Sequence, residues 1–432
     1  MIMKKVKLFS WLMALALMLS LVPPVQAAGD YVAIDATHFP DAAFRQYVKG
    51  YDSNKDNRLS VAERNGVSKM DVSSRNITSL QGIEYFPGLT YLNCYNNKIT
   101  SLDMSGNPEL YNLICNSNNL TSLNVSRNPA LAGLFLNFNN LTYLDLSGNP
   151  ELLNLEVFAN DLSSLNLSQN TKLERLMCPE NRLTSLDLSR NTALKSLTCS
   201  DNQLTSLTLP KNAKLTSSSA DQQTYPIITD GSRTFDLSKL PGKFDVRKAS
   251  SWEGGSVSGN ILTVNPGAAE VTYVYTYGDG IADFMRVTLQ VTVAESAAGD
   301  VVMRVFNPAN GKHHYTIGVQ EANALVAGGW IYEGFAWIAP ETGSPIYRVY
   351  NPGNDNHLYT MDAAERDRLV EGGWKYEGIL CYSAGTDGVP LYRVLNPYVT
   401  LNPHHYTDSE DECEFLKSNG WIVEGVAWYG LK

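Results

Sequence analysis

The feature that most constrains this chain is a 21-residue pattern that repeats six times without a gap over residues 89–214. Each copy begins at a leucine, from Leu89 to Leu194, and reads L-x-x-L-x-(C/L/V)-x-x-N-x-(L/I)-x-x-L-x-(L/M/V)-x-x-N-x-x. A unit of this length cannot bury its own apolar side chains, so stacking of successive units must bury them. The pattern therefore predicts a solenoid, in which the asparagine column from Asn97 to Asn202 bonds to the backbone of the neighbouring coil as a ladder.

The repeat resembles the 21-residue class of bacterial leucine-rich repeats, in which both halves of each coil tend to be extended. The resemblance covers residues 67–215, including a 22-residue first turn that has Arg75 in the ladder column. An atypical first unit of this kind indicates a cap on the solenoid. After Leu215 the pattern dissolves into a threonine and three serines, so we expect the solenoid to end there.

Cysteine usage indicates a structural role inside the solenoid. Four of the six cysteines occupy one inward position of the repeat: Cys94, Cys115, Cys178 and Cys199. Other copies fill that position with Leu136 or Val157, so we expect the four to pack as small core hydrophobes with free thiols. Adjacent coils lie about 4.8 Å apart, which leaves a bond between Cys94 and Cys115 as the alternative.

The first 27 residues indicate a secretory signal peptide. Three lysines precede an apolar run, Leu8–Val22, which is short for a membrane span, and a small-residue cleavage motif ends at Ala27. We therefore expect a secreted protein that is not inserted in a membrane after cleavage. Any attachment to the cell wall is expected to be non-covalent. The formal net charge of −10 argues against nucleic acid and anionic membranes as partners.

Residues 28–66 are predicted to form a helical cap that contains a calcium loop. The stretch 52–63 resembles an EF-hand loop, with oxygen ligands at the expected spacing from Asp52, Asn54, Asp56, Arg58 (through its carbonyl), Ser60 and Glu63. Asn57 replaces the usual glycine at position six, and asparagine tolerates the positive φ that the turn requires. We expect calcium as a structural cofactor. The alternative is a degenerate acidic turn that only caps the solenoid.

Outward side chains of the first four coils form the one patterned surface of the solenoid. They combine asparagines with large apolar groups at Tyr91, Tyr95, Ile114, Phe135, Phe138 and Phe158. An exposed patch of this composition favours contact with an extracellular protein or a glycan. The alternative is that the rings shield the strand edge or pack on the N-terminal cap.

Residues 216–297 change to short alternating segments with turn residues between them, and they predict a β-sandwich spacer. Residues 301–432 then repeat a unit of about 44 residues three times, with R-V-x-N-P, H-x-Y-T, G-W and E-G landmarks. This repeat is similar to a bacterial domain family of unassigned function, whose members occur as triplicates in secreted proteins, sometimes beside cell-wall or glycan hydrolases. The resemblance implies attachment to cell wall or glycan.

Three interpretations of the C-terminal repeats remain open at this point. The first is three sugar sites, with ligand-binding residues His313, Tyr315, His357, Tyr359, His404 and Tyr406. In the second, the three histidines converge on the threefold axis and bind zinc. In the third, these residues are the hydrogen-bonded frame of the fold itself.

The sequence thus predicts a β-rich chain with minor α: a parallel-β solenoid, a β-sandwich, and a pseudo-threefold module of strands and short helices. No metalloprotease, serine-hydrolase, phosphate-loop or C-x-x-C motif occurs, so we predict no catalytic residues and a non-enzymatic binding or adhesion protein. One alternative is a wall- or glycan-processing enzyme that uses Glu333, Glu377 and Glu424. The other is a structural surface protein.

Overall fold

The computed structural model describes residues 31–431 except 212, 214, 279–282, 309 and 399–403. The predicted signal peptide and Asn212, the last member of the second asparagine column, lie outside the described residues. The chain forms two units, residues 28–294 with 319–330, and residues 295–318 with 331–432. The predicted fold class is confirmed, because a parallel solenoid is followed by sheets of short, mainly antiparallel strands.

The N-terminal cap packs apolar side chains from two short helices and a pair of antiparallel strands. Asp41 caps the helix Ala42–Val48 by accepting from the amides of Ala43 and Phe44, both at 2.9 Å. The second helix, Val61–Asn65, begins with a capping box between Ser60 and Glu63. The two strands, Tyr31–Ala33 and Arg58–Ser60, pair antiparallel, and a short 3₁₀ turn covers Lys49–Tyr51.

The solenoid has one main sheet of eight parallel strands in continuous register. The strands are Lys69–Asp71, Tyr91–Asn93, Asn112–Ile114, Gly133–Phe135, Asn154–Glu156, Arg175–Met177, Ser196–Thr198 and Ser217–Ser219. On the other side of the coils, Ser101–Asp103 pairs with Ser122–Asn124, and Leu186–Asp187 pairs with Leu207–Thr208. A 3₁₀ turn at Ile83–Tyr85 lies in the first coil.

The predicted asparagine ladder is present. Asn139 shows the bonding: its Oδ1 accepts from the Leu120 amide at 2.9 Å, and its Nδ2 donates to the carbonyls of Cys115 and Leu136, both at 3.0 Å. The side chain therefore satisfies backbone groups of its own coil and of the preceding one, which would otherwise be buried and unpaired. The second column, from Asn107 to Asn191 in the described residues, is fully buried and donates to backbone carbonyls in the same way.

The solenoid runs one coil further than the expected end at Leu215, which is a correction. The strand Ser217–Ser219 continues the main sheet, and Gln223 occupies the ladder position. Its Nε2 donates to the carbonyls of Cys199 (2.9 Å) and Ala220 (2.7 Å), and its Oε1 accepts from the Leu204 amide (2.9 Å). A glutamine amide offers the same donor and acceptor as asparagine, so the ladder continues where the consensus has ended.

The inward cysteines are buried free thiols, as expected. The Sγ atoms of Cys94 and Cys115 lie 3.0 Å apart in adjacent coils. Burial raises the pKa of Cys199 to about 12, so this thiol stays protonated and unreactive at neutral pH.

The β-sandwich follows directly. One sheet has the order Gln223–Thr229, Phe284–Val293, Glu270–Thr276, Ala249–Glu253, of which the first pair is parallel. The other has the order Thr234–Asp236, Ile261–Val264, Gly255–Ser258. Short 3₁₀ turns cover Leu237–Lys239 and Val246–Lys248. Tyr273 donates to the Thr205 carbonyl at 2.8 Å from a buried position, which ties this sandwich to the last coils. No helix in the described part of the chain is both long and apolar enough to cross a membrane.

Each C-terminal copy has a central strand with an antiparallel neighbour on each side. In chain order the strands are Asp300–Asn307, Lys312–Thr316 and Ile331–Ala339; Ser344–Asn351, Asn356–Thr360 and Lys375–Ser383; Val389–Leu395, His404–Thr407 and Ile422–Gly430. A helix precedes the last strand of each copy: Val319–Ala327, Ala363–Glu371 and Glu410–Ser418. The first of these belongs to the N-terminal unit, in which Asn323 exchanges two hydrogen bonds with the backbone of Ile228.

Candidate functional site

The predicted contact surface of the solenoid lies on the main sheet and the turns that follow it. We call its six apolar side chains the aromatic face: Tyr91, Tyr95, Ile114, Phe135, Phe138 and Phe158. Tyr95 and Phe138 are exposed (44% and 53%), and the other four are half-buried. All ring contacts found for the N-terminal cap are with residues outside the aromatic face. Its role in binding stays a prediction.

Phe138 has an unusual backbone for its residue type. It has φ +58°, in the left-handed region, at the position just before the ladder asparagine. The same turn position in neighbouring coils is held by Ser117, Ala159 and Asp201, which also have positive φ. A bulky side chain is disfavoured in this region, and such outliers concentrate at functional positions. The Phe138 ring packs edge-on against Phe158, with centroids 4.7 Å apart.

A row of polar side chains holds the backbone beneath these two rings. The Nδ2 of Asn137 donates to a carboxylate oxygen of Glu156 at 2.9 Å, and its Oδ1 accepts from the backbone amide of Phe158 at 2.9 Å. Asn116 in turn accepts from the Asn137 backbone amide at 2.8 Å. Adjacent coils are therefore linked by side-chain bonds as well as by the sheet, so the rings stand on a rigid support.

The predicted calcium loop agrees with its sequence in the backbone of Asn57 and in the packing of Leu59. Asn57 has φ +60°, as expected for a residue that replaces glycine. Leu59 is fully buried and pairs with Val32, so this single loop pairs with the N-terminal strand rather than with a second EF-hand. The donor set of carboxylate, amide and hydroxyl oxygens fits a hard cation.

The loop oxygens are engaged in internal hydrogen bonds. Asp52 accepts from the backbone amides of Asp56 and Asn57, and Glu63 accepts from both the amide and the hydroxyl of Ser53 and of Ser60. These bonds, led by the one from the Ser53 hydroxyl, lower the pKa of Glu63 to about 2. Within the described residues, no group of three or more His, Cys, Asp and Glu side chains is arranged to hold a metal ion. Calcium binding by this loop stays a prediction.

The threefold axis of the C-terminal module is made of tyrosine. Tyr315, Tyr359 and Tyr406 are at most 2% exposed, and each ring lies nearly perpendicular to the next at centroid distances of 5.4–5.7 Å. Each hydroxyl donates to the backbone carbonyl of the axial tyrosine in the preceding copy and accepts from that tyrosine's backbone amide, at 2.7–3.2 Å. These tyrosines are therefore the frame of the module. Their assignment as ligand-binding residues was wrong, because neither ring nor hydroxyl is free to contact a ligand.

The predicted histidines lie beside an Arg–Glu pair in each copy. Nε2 of His313, His357 and His404 lies 3.2, 3.1 and 3.4 Å from Glu333, Glu377 and Glu424 respectively. The same carboxylates contact Nε of Arg304, Arg348 and Arg393 at 2.8, 3.0 and 2.6 Å. Each histidine is thus held by its own copy while tyrosines occupy the axis, so the axial zinc interpretation is also wrong. Burial would raise the pKa of Glu333, but the His313 and Arg304 contacts lower it.

A glycine bulge brings each of these glutamates into position. Gly334, Gly378 and Gly425 follow the three glutamates directly and have φ between +108° and +113°. At each of them the last strand shifts register against the central strand. A left-handed bulge of this kind needs glycine and bends the strand, which aims the neighbouring side chain away from regular pairing.

Sequence reasoning missed the acidic residues supplied by the helices. Glu365 contacts Nη1 of Arg393 with its two oxygens at 3.2 and 3.4 Å, and Glu412 lies 3.8 Å from Nη1 of Arg304. Arg393 and Arg304 therefore each bridge the glutamate of their own copy to a helix glutamate of the preceding copy, the third copy preceding the first around the closed module. The recurrence of Arg and Glu in fixed columns was a signal for such pairing, but pairing across copies depends on the closure of the module.

The junction between the second and third copies contains a cleft of about 340 Å³. Its charged lining residues are Glu365, Arg393 and Glu424, together with Asp362 and Arg368, and Met361 and Val426 are among its apolar lining residues. Glu365, Arg393 and Glu424 are about one-quarter exposed, whereas Asp362 and Arg368 are mostly exposed. Charged groups that are largely withdrawn from water make stronger hydrogen bonds than fully solvated ones.

Comparison with known proteins gives one family match and several structural likenesses. Residues 301–431 match the family described as a domain of unknown function, DUF5648. No curated protein sequence matches the chain.

Three solved structures from Listeria monocytogenes are similar to parts of the chain. The functional domain of InlJ, described as including a cysteine ladder, is 20% identical, with TM-score 0.30, over 61% of this chain and 99% of that one. The internalin InlF is 25% identical, with TM-score 0.36, over 45% of this chain and 73% of that one. InlP is 18% identical, with TM-score 0.34, over 60% of this chain and 98% of that one.

Proposed function

We propose that this chain is a secreted, non-enzymatic binding protein whose aromatic face recognises an extracellular protein partner and whose C-terminal module docks on glycan. The observation that carries the first part is Phe138, which is half-exposed in a backbone conformation that disfavours its residue type. Nothing in the folding of the coil requires a phenylalanine there, because the other coils turn with small or polar residues. Phe138 is exposed to solvent and its backbone conformation lowers the stability of the coil. Contact with a partner explains both features.

The surroundings of Phe138 favour protein over sugar as the partner of this face. Aromatic side chains surrounded by amides are the usual composition of protein–protein interfaces, where a few aromatic anchors supply most of the affinity. The two rings rest on a rigid sheet, so little conformational entropy is lost when they are covered. The purely structural alternative would require this face to be covered by another copy of the same chain.

A pair of matched variants tests this proposal. Phe138→Ser installs the residue that the second coil has at the same position, so folding should be preserved or improved. Tyr143→Ser is the control, because Tyr143 is 68% exposed and lies outside the aromatic face. After cross-linking to intact cells and extracellular matrix, the Phe138 variant should lose the captured protein and the Tyr143 variant should retain it. Equal capture by both variants would reject the aromatic face, and self-capture would favour the structural alternative.

Calcium binding at the N-terminal loop is part of the same proposal. Asp52, Asn54, Asp56, Ser60, Glu63 and the Arg58 carbonyl would hold the ion, which would stabilise the cap that protects the first coil. Calcium would compete with Ser53 for the Glu63 carboxylate. Isothermal titration should show one weak site, with a dissociation constant of about 10⁻⁴–10⁻³ M, the range of extracellular calcium modules. Glu63→Gln should remove this site, and a titration without heat for the native protein would refute it.

The C-terminal module is proposed to dock on glycan because Glu333, Glu377 and Glu424 each pair with an arginine of their own copy, and at the junction of the second and third copies such a pair lines a cleft with apolar side chains. These carboxylates are tied to Arg and His by contacts of 2.6–3.4 Å, which favours a binding role over general acid or base chemistry. The rival enzyme predicts turnover of peptidoglycan or chitin that is lost on substitution of Glu333, Glu377 and Glu424. Secretion is proposed from the signal sequence.

A further inference from the structure

The three junctions of the C-terminal module are not equivalent. In the first and third copies a histidine, His314 or His405, precedes the axial tyrosine, whereas the second copy has Leu358. His405 is buried, and its Nε2 lies 3.3 Å from the helix glutamate Glu412. His314 is also buried, and its ring lies 4.6 Å from that of His357. His405 thus lies beside the helix glutamate of its own copy, and each of these histidines also contacts a histidine ring of the next copy, His313 for His405 and His357 for His314.

At the junction of the second and third copies the leucine leaves the helix glutamate without an imidazole. Glu365 faces Arg393 with both oxygens, at 3.2 and 3.4 Å, and these distances leave part of its acceptor capacity unused. Leu358 itself is 5% exposed and belongs to the packed interior. The cleft of about 340 Å³ lies at this junction.

A second departure from the repeat lies in the lining of the cleft. The residue after the bulge glycine is Val426 in the third copy, where the other copies have Phe335 and Ile379. All three are exposed, and valine is the smallest of them. Two independent sequence changes, one on each side of one junction, therefore favour an open cleft there.

We propose that this cleft binds a neutral saccharide, one per chain, and that Leu358 leaves Glu365 available to the ligand because it supplies no imidazole. The inference rests on the glycan docking proposed above and assigns it to one junction.

The chemistry of the lining points to a neutral, hydroxyl-rich ligand. Glu365 and Glu424 accept hydrogen bonds, Arg393 donates them, and a sugar hydroxyl does both, so adjacent hydroxyls can bridge these groups. Met361 and Val426 offer apolar contact for the C–H face of a sugar ring. An anion would meet the carboxylates of Asp362, Glu365 and Glu424, and a cation would meet Arg368 and Arg393, so the mixed charges disfavour either. A volume of about 340 Å³ is at the lower end of the range for small-molecule sites, which is enough for one or two sugar rings.

The test is an array of immobilised neutral, acidic and basic oligosaccharides probed with the full-length secreted protein. Leu358→His should reduce the signal on neutral glycans at least tenfold, and this variant should fold because two copies already have histidine at that position. Glu365→Gln should do the same. Leu358→Ile and Glu371→Gln, at the exposed end of the same helix, are the matched controls and should bind like the native protein. Circular dichroism melting should agree within a few degrees among all variants.

Each other outcome has a distinct meaning. Neutral-glycan signals that survive both Leu358→His and Glu365→Gln would overturn the assignment of the cleft, while glycan docking would stand. Signals that disappear in Phe138→Ser instead would place the sugar on the solenoid and also overturn it. Binding restricted to acidic or basic glycans would overturn the inferred ligand chemistry. No binding to any glycan would overturn both the inference and the docking function.

Discussion

The buried histidine of the third copy should make the C-terminal module sensitive to mild acid. His405 is 3% exposed, with Nδ1 3.2 Å from the Tyr315 hydroxyl and Nε2 3.3 Å from Glu412. Burial lowers the pKa of His405 from 6.5 to about 4, and this effect outweighs the attraction of the Glu412 carboxylate. His405 is therefore neutral in the folded protein at pH 7 and resists protonation.

The sign and size of the effect follow from the two pKa values. Because the folded pKa lies below the unfolded one, the unfolded chain takes up the proton first as the pH falls. The stability contribution is fully present above pH 6.5 and is lost as the pH falls towards 4. Between pH 7.5 and pH 5 the loss is on the order of 2 kcal/mol for this one group. Burial would raise the pKa of Glu412, but the contacts with His405 and Arg304 lower it to about 2. The contribution of Glu412 to the free energy of unfolding is therefore lost only as the pH falls below 4.5.

The substitution His405→Leu measures the contribution of His405 to the pH dependence of stability. The variant should fold, since the second copy has leucine at the same position. Guanidinium unfolding, followed by the fluorescence of the buried Trp337 and Trp428, should show the native protein losing on the order of 2 kcal/mol more than the variant between pH 7.5 and pH 5. NMR titration of the imidazole should give a pKa well below 6.5. Equal pH slopes for the two proteins would refute the burial argument.

Two further substitutions test the frame of the N-terminal unit. Asn139→Ala removes three hydrogen bonds and leaves the Leu120 amide buried and unpaired, so it should cost about 3 kcal/mol in denaturant unfolding, whereas Asn140→Ala next to it, at an exposed position, should cost less than about 0.5 kcal/mol. Similar costs for both would contradict the ladder. Gly82→Ala should loosen the N-terminal cap, because Gly82 has φ +102° and an added Cβ would collide with the Phe39 ring. Faster amide exchange across residues 31–66 would show this, and unchanged exchange would refute it.

The parts of the fold that could be predicted from the sequence are those in which a residue's role is local to its repeat. The ladder asparagines bond within their own coil and to the adjacent one, so a period and a residue type were sufficient. The end of the solenoid was not predictable in this way, because Gln223 reproduces the ladder bonds without matching the consensus. Consensus reasoning tracks residue identity, whereas the coil requires only an amide at the correct distance.

The C-terminal site shows a different limit of sequence reasoning. His313 and Tyr315 are two residues apart on one strand, so strand periodicity gives them the same expected direction. The structure nevertheless places the tyrosine at the axis and the histidine beside the Arg–Glu pair. Which side chain reaches the axis depends on how three copies close on each other, and this information is not contained in any single copy. The helix glutamates Glu365 and Glu412 were missed for the same reason.

Departures from a repeat carry the functional information in this chain. A position that serves the frame has the same requirement in every copy, so a change there must either preserve the contacts or be compensated. Gln223 preserves the ladder bonds, and Cys381 fills the core position that holds Trp337 and Trp428 in the other copies. Phe138 does neither, because it projects into solvent from a backbone conformation unfavourable to it. Leu358 is itself buried, but it removes the imidazole that the other copies place beside the next copy. The packing of the repeats does not explain why Phe138 and Leu358 stand at their positions. We therefore expect partners to bind at the aromatic face and at the cleft.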